Sequence, residues 1–526
     1  MHKYTINEVF MKNQWTHLHK NIKLCIFNCF YKNIQGILHI KKHKTCFYIA
    51  DMLKYFMYGR TKKMNEQYQK RKRHKRNISK VLVAFLSIVI VIACALGSAV
   101  VIEYFTDNNK SGLNSDTSSI IEKPDEPEPI IETSTATVAV TGDLLMHLPI
   151  ITGAYDSTSK EYNFDNIFTY FSEYVSKADY SIANLETTLR GTEGGATYKG
   201  YPTFNCPDSI ADSVKKAGFD MLLTANNHSY DTALKGFKRT LEVATNGGLE
   251  CIGTMTDESS PKYVIKEING IKIGMICYTY QTGDGSDNRV YLNGIKLSNE
   301  ATNLVNSFSY SQLDKFYTEM DTHITSMKQS GADAVVLYIH WGEEYKVKEN
   351  KTQNQIAQKL CNLGVDLIVG GHPHVIEPIE LLTSETDSNH KTVCLYSLGN
   401  AVSNQRRERM NLNTGHTEDG MLFSYTFSKY SDGTVVLKDV NVLPAWVNLF
   451  TSKETGRKVY QIIPLDDTIK DNWKVKFNLS DKASDEVAKS YTRTMDIVGE
   501  GLNEVKDYLA NQITPDKLKK DIDTSY

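Results

Sequence analysis

Seven residues of this sequence pair metal-ligating chemistry with the end of a short apolar run: Asp143, Glu186, Asn227 with its neighbour His228, His340, and His372 with His374. The runs are TVAVTGD (137–143), DYSIANLE (179–186), FDMLLTANN (219–227), DAVVLYIHWG (333–342) and DLIVGGHPH (366–374). Imidazole nitrogen together with carboxylate and amide oxygen suits Zn²⁺, Mn²⁺ or Fe²⁺, and the lack of thiolates argues against a closed structural zinc site. A two-ion hydrolytic centre needs a bridging carboxylate, terminal ligands for each ion and a water nucleophile, and this set meets that need. Taken singly, Asp143 after Gly142 reads equally as a turn former or helix cap, and His340 beside Trp341 reads better as a hydrogen-bonded core histidine. The set is harder to dismiss, because GGHPH places two imidazoles at i and i+2 directly after an apolar strand, where packing gives no reason for them. His147, four residues after Asp143, and Glu343, with Glu344 beside it, are further candidates for the metal or for the groups around it. His323, His390 and His416 read as surface residues.

Such residues need elements that bring them to one place. The runs above, with KIGMICYTY (272–280) and TVCLYSLGN (392–400), read as strands, and helical patterns fall between them at 165–177, 207–217, 232–246, 311–330 and 352–363. Strands alternating with amphipathic helices predict an α/β fold, in which sites form where loops converge beyond the carboxyl ends of the strands. Leu313, Phe316, Tyr317, Met320, Ile324 and Met327 recur at three- and four-residue steps, a stripe for packing on a sheet. Asn269-Gly270 predicts a tight hairpin, because both residues tolerate positive φ. A second antiparallel pair follows residue 420 and turns at Ser431-Asp432-Gly433, and residues 482–511 read as a polar helical tail.

The formal charge of −2 over 526 residues hides an asymmetry: residues 1–80 carry 19 Lys/Arg against three acids, a net of +16 against −18 for the rest. At that boundary runs VLVAFLSIVIVIACALGSAVVI (81–102), which matches the roughly 20 residues of a membrane helix. The basic cluster just before it predicts a cytoplasmic N-terminus and an extracellular main domain. The rival is a cleaved signal peptide, for which Ala95, Gly97, Ser98 and Ala99 leave room. We therefore divide the chain into an N-terminal extension without periodicity (1–63), with Met64 as the expected start, a basic cytoplasmic segment (64–80), a signal anchor (81–102), an acidic and proline-containing linker (103–134), the main domain (135–465) and a polar tail (466–526). Five cysteines beyond the anchor, without paired spacing, argue against a disulfide framework. The only strong basic run is explained by topology, so nucleic acid is not an expected partner.

In order along the chain, VTGDLLMH, ANLETTL, TANNHSYD, IHWGEEY, GGHPHVIEPIE and YSLGN resemble the successive motifs of the CapA-like poly-γ-glutamate capsule synthesis proteins, which are themselves similar to calcineurin-like metallophosphoesterases. The resemblance covers about residues 137–450. It implies a four-layer αββα sandwich behind one transmembrane helix. It also implies a role in making or exporting poly-γ-glutamate, with synthase or export subunits and nascent polymer as partners. Carried over residue by residue, it makes His340, His372 and Asn227 ligands of one divalent ion and Asp143 and His374 ligands of another, with Glu186 bridging and His228 facing the substrate as the catalytic imidazole. Mn, Zn, Fe and Mg all remain open as the metal.

Two departures accompany the resemblance. The histidine that phosphoesterases place two residues after the first aspartate is here Leu145, and the bridging aspartate is the longer Glu186, which leaves a mononuclear site open. Arg406 and Arg407, with Arg409, follow YSLGN and are the candidates for contact with a polyanion, although a solvated loop reads as well. The competing function is an ecto-phosphoesterase or other metallohydrolase without a capsule role.

Overall fold

The structure, a computed structural model, describes residues 129–283 and 289–512. The extension, the basic segment, the apolar segment 81–102 and most of the linker lie outside these residues. Among the described residues, no helix is long and apolar enough to cross a membrane.

The described chain is mixed α/β, as the alternating pattern predicts. It lays down β1 (Glu132–Leu144), β2 (Tyr180–Leu185), β3 (Met221–Leu223) and β4 (Glu250–Ile252) in a first sheet. It then crosses to a second sheet for β5 (Tyr263–Ile268), β6 (Ile271–Tyr280), β7 (Ser307–Phe308), β8 (Ala334–His340), β9 (Leu367–Gly371), β10 (Ile376–Thr383) and β11 (Lys391–Leu398). It returns to the first with β12 (Asn400–Val402), β13 (Asp419–Tyr430), β14 (Val435–Thr451) and β15 (Lys458–Pro464). Across the first sheet the order is β15-β14-β13-β1-β2-β3-β4 with β12 against β1; across the second it is β7-β6-β8-β9-β11-β10 with β5 against β6.

One apolar core joins the inner faces of both sheets, with Val138, Val140, Ile182, Phe423 and Tyr425 from the first against Met275, Val336, Tyr338, Val369 and Leu395 from the second. The Tyr338 and Tyr425 hydroxyls bond across it at 2.7 Å, which satisfies two polar groups that burial would otherwise strand. The outer face of the first sheet is covered by α1 (Leu148–Ala154) and α2 (Ser209–Lys216), through Ile150, Ile151, Ile210 and Val214. α3 (Ala233–Asn246) adds Ala244 to the same core. The outer face of the second is covered by α4 (Leu313–Gln329), through the stripe of Phe316, Met320, Ile324 and Met327, and by α5 (Lys351–Asn362). With both faces buried, β8 is apolar at every position up to His340 (AVVLYIH), as parallel central strands are.

α6 (Asp481–Asn511) is continuous with this body rather than a polar tail: Val498, Leu502, Val505 and Leu509 enter the shared core. At Gly501 a Cβ would lie 1.8 Å from Ile379 O, so the helix backbone rests directly on β10.

Candidate metal centre

The parallel strands end together, and their ends carry the predicted ligands. β8 and β9 pair in parallel with His340 opposite Gly371, which delivers His372 beside His340 with ring centroids 4.9 Å apart. β1 breaks register with β2 around Gly142, between Thr141 and Asp143, an irregularity that re-aims Asp143. The break also lets Gly142 lie against Gly399, where a Cβ would meet Gly399 O at 1.8 Å. His372 and His374 flank Pro373 with φ of 99° and 57°, conformations that L-residues seldom adopt and that cluster at functional sites.

Two groups of buried ligand atoms result, each lying within 4.8 Å of one another: Glu186, His340 and His372, and Asp143, Glu186 and His374. Glu186 belongs to both, as a bridging carboxylate must. Asn227 stands at the first group, its Oδ1 2.8 Å from His340 Nε2. In the second, His374 Nδ1 lies 3.1 Å from Asp143 Oδ2 and 3.1 Å from Asn400 Oδ1. Asn184 Nδ2 donates to Asp143 Oδ1 at 2.7 Å, and Asn226 Nδ2 in turn donates to Asn184 Oδ1 at 3.1 Å.

Whether these residues fit a cation is tested by their unused atoms. Both oxygens of Glu186 and Nδ1 of His372 are buried without a hydrogen-bond partner. The nearest imidazole nitrogens to Glu186 stand 3.5 Å (His340) and 3.9 Å (His228 and His374) away. Buried polar groups are almost always paired, and three orphaned lone-pair donors converging on one place are what a cation would satisfy. Electrostatics agree. Burial, with the charges of Asp143 and Glu344, pushes the Glu186 carboxyl well above the glutamate range. Burial and the neighbouring imidazoles push His372 well below the histidine range, and His340 falls to about 3 mainly through burial. Asp143 moves the other way: burial raises it, but the hydrogen bond and charge of His374, the charge of His340 and the Asn184 bond together hold it lowered. Neutral imidazoles are the ligating form, and a divalent ion would favour the ionised Glu186.

His228 is not in either group. Its Nδ1 is 2.7 Å from Asp231 Oδ2, and Asp231 also accepts from Phe204 N at 2.6 Å and from Asn293 Nδ2 at 2.9 Å. His147 is likewise outside both groups: its Nδ1 sits 3.1 Å from Leu145 O and 3.3 Å from Asn404 N, and burial pushes it to about 4. Phe204 packs edge-on against both imidazoles, with centroids 5.3 Å from His147 and 4.7 Å from His228. Glu343 is exposed, and it is Glu344 whose charge acts on Glu186. Arg406 is buried, bonded to Glu418 at 2.9 Å and Val447 O at 2.8 Å, and Arg407 reaches Glu418 and Glu486 at 3.2 and 2.6 Å. These guanidiniums are engaged with carboxylates of their own chain. The sequence reading passed over Asp231, Asn184 and Asn400, although Asp231 closes the motif TANNHSYD and Asn400 closes YSLGN.

Together these features define a mixed α/β protein with a buried, strand-end cluster of imidazole, carboxylate and amide side chains that could hold a metal ion. Residues 137–405 match the model of the family described as bacterial capsule synthesis protein PGA_cap, and the chain belongs to that family. The PGA biosynthesis protein CapA of Bacillus subtilis (strain 168) is 26% identical over 304 residues, which cover 57% of this chain and 70% of that protein. The capsule biosynthesis protein CapA of Bacillus anthracis is 25% identical over 342 residues, 64% of this chain and 74% of its own.

Proposed function

We propose that this protein takes part in poly-γ-glutamate synthesis or export through a divalent-metal centre held by Asp143, Glu186, Asn227, His340, His372 and His374. The observation that carries the metal is the orphaned, doubly shared Glu186. The two relatives named above for PGA and capsule biosynthesis support the pathway. The two sheets joined by one core, with helices on their outer faces, support the reading of the domain as a metallophosphoesterase-like four-layer sandwich. The order of residues 64–102, basic then apolar, supports a single anchor that displays the domain outside the cell, where synthase or export subunits and nascent polymer are its partners.

Bound ions would supply Lewis-acid polarisation and charge neutralisation at an ester or amide oxygen. The chain's own residues supply the rest. Asp231 fixes the Nδ1 side of His228, leaving Nε2, the nitrogen nearer Glu186, as the face available to a substrate. An imidazole so held passes a proton to a leaving oxygen from a fixed position. Asn184 holds one oxygen of Asp143 and leaves the other turned to His374. That His228–Asp231 pair also favours a second reading, an ecto-phosphoesterase without a capsule role.

The test is complementation of a deletion strain with wild type, Glu186→Gln or His372→Ala, with surface polymer measured and with chelator-sensitive turnover of phosphomonoesters and phosphodiesters assayed in parallel. Restoration by wild type alone is the expected result. Unchanged polymer in the deletion strain removes the capsule role, and full rescue by both variants removes the metal.

A further inference from the structure

We propose that Asn400 is a metal ligand, contributing Oδ1 to the ion held by Asp143, Glu186 and His374; this rests on the metal reading above. The two halves of the centre are unequal if only the predicted residues are considered. The half with His340 and His372 has the amide oxygen of Asn227 beside an imidazole nitrogen, at 2.8 Å from His340 Nε2. The half with Asp143 has no counterpart among the predicted residues, since Leu145 is a buried apolar side chain and His147 is engaged with backbone.

Asn400 supplies that counterpart. β12 runs parallel to β1 with Asn400 paired to Asp143, and the contact of Gly142 with Gly399 O brings the two strands closer than any side chain would permit. Asn400 is fully buried, and its Oδ1 lies 3.1 Å from His374 Nδ1. That nitrogen also faces Asp143 Oδ2 at 3.1 Å and Glu186 Oε2 at 3.9 Å, so the amide oxygen shares the imidazole nitrogen around which the group gathers.

An asparagine amide is often ambiguous in orientation, but here the surroundings decide it. Asn400 Nδ2 faces His374 O at 3.1 Å, Thr417 O at 3.0 Å and Gln405 Oε1 at 3.0 Å. Two of these are backbone carbonyls, which only accept, so the nitrogen belongs on that side and the oxygen on the other. Without an ion, His374 Nδ1 has one proton at most to share between two oxygens. With one, three lone pairs converge on a single charge.

The experiment loads the full chain with Zn²⁺ and asks for the ion count, the affinity and the crystal structure. Wild type is expected to hold two ions, with Asn400 Oδ1 at about 2.0–2.2 Å from one of them. Asn400→Ala is expected to lose at least tenfold in affinity for that ion while keeping the other. Asn400→Asp, which retains an oxygen, is expected to restore two-ion binding. Zinc bound beside Asp143 with Asn400 Oδ1 outside bonding distance, or an Asn400→Ala protein that keeps both ions at wild-type affinity, overturns the assignment. A wild-type protein that binds no ion overturns the metal reading itself, and that result is distinct from the other two.

Discussion

At the scale of single residues, the candidate ligands stand out in the sequence because each interrupts an apolar run at the point where a strand must end. Asp143, Glu186, His340, His372 and His374 all lie in the two ligand groups. The supporting amides were not legible, because an asparagine at a strand end has many uses. Only its partners, such as His374 for Asn400 or Asp143 for Asn184, reveal which one applies. Glu377 illustrates the same limit. It lies in GGHPHVIEPIE, yet it is buried beside Gln353, whose Nε2 donates to Oε2 at 2.7 Å, while Oε1 has no partner. Burial raises its carboxyl from 4.5 to about 8. The folded state therefore keeps a proton that the unfolded state releases. This favours folding fully at pH values below the unfolded pKa, and the advantage is lost as pH rises through the folded value. Glu377→Gln removes the titration, so its melting temperature should overtake that of wild type progressively between about pH 4.5 and pH 8. Parallel thermal melts across that range check it; a gap that does not change with pH rules it out.

At the scale of elements, the strands, the helices and both hairpin turns emerged close to their predicted places, with Asn269 and Gly270 at φ of 51° and 79° in the turn between β5 and β6. α6 reads as a tail in the sequence because the first half of its inward stripe is weakly apolar. Of its buried residues, Ala483, Ser490 and Thr494 are small or polar, and no long apolar run marks the helix as core. Its N-terminal half packs Ala483 and Val487 against Trp446, Trp473 and Phe477 and is also held by polar bonds: Arg493 grips Asp419 through two bonds of 2.7 and 2.6 Å, and Ser490 adds a third at 2.6 Å. Asp419 opens β13, two residues after Thr417, whose carbonyl receives Asn400. Arg493 is partly exposed but Asp419 is buried, so removing the guanidinium leaves a buried carboxyl uncompensated and Arg493→Met should cost about 2–4 kcal/mol. Urea unfolding measures this, and a loss below about 1 kcal/mol would show that the pair is solvated in practice. Gly142→Ala should be worse tolerated than its size suggests, because the new methyl would occupy the place of Gly399 O.

For the whole molecule, the centre lies where strands of both sheets end, so an ion would tie the sheets together through ligands from β1 and β8 and from the segments after β2 and β9. Metal should therefore raise global stability, by about 2.7 kcal/mol at a free concentration of 100 times Kd. Melting of chelator-treated and Mn²⁺-supplemented protein checks this, with the double variant Glu186→Gln, His372→Ala expected to show no rise. The backbone around Pro373 adds a consequence for the choice of ion. His372 and His374 stand at positive φ on either side of Pro373, whose ring fixes its own φ, and this backbone sets how the two imidazoles are presented. Ca²⁺ requires six to eight oxygens at about 2.3–2.6 Å in a flexible shell, whereas smaller ions accept shorter and fewer bonds. The candidate ligands include three imidazoles, His340, His372 and His374, which suit smaller and softer ions than calcium, so calcium is expected to bind more weakly than Zn²⁺ or Mn²⁺, and metal titration checks this.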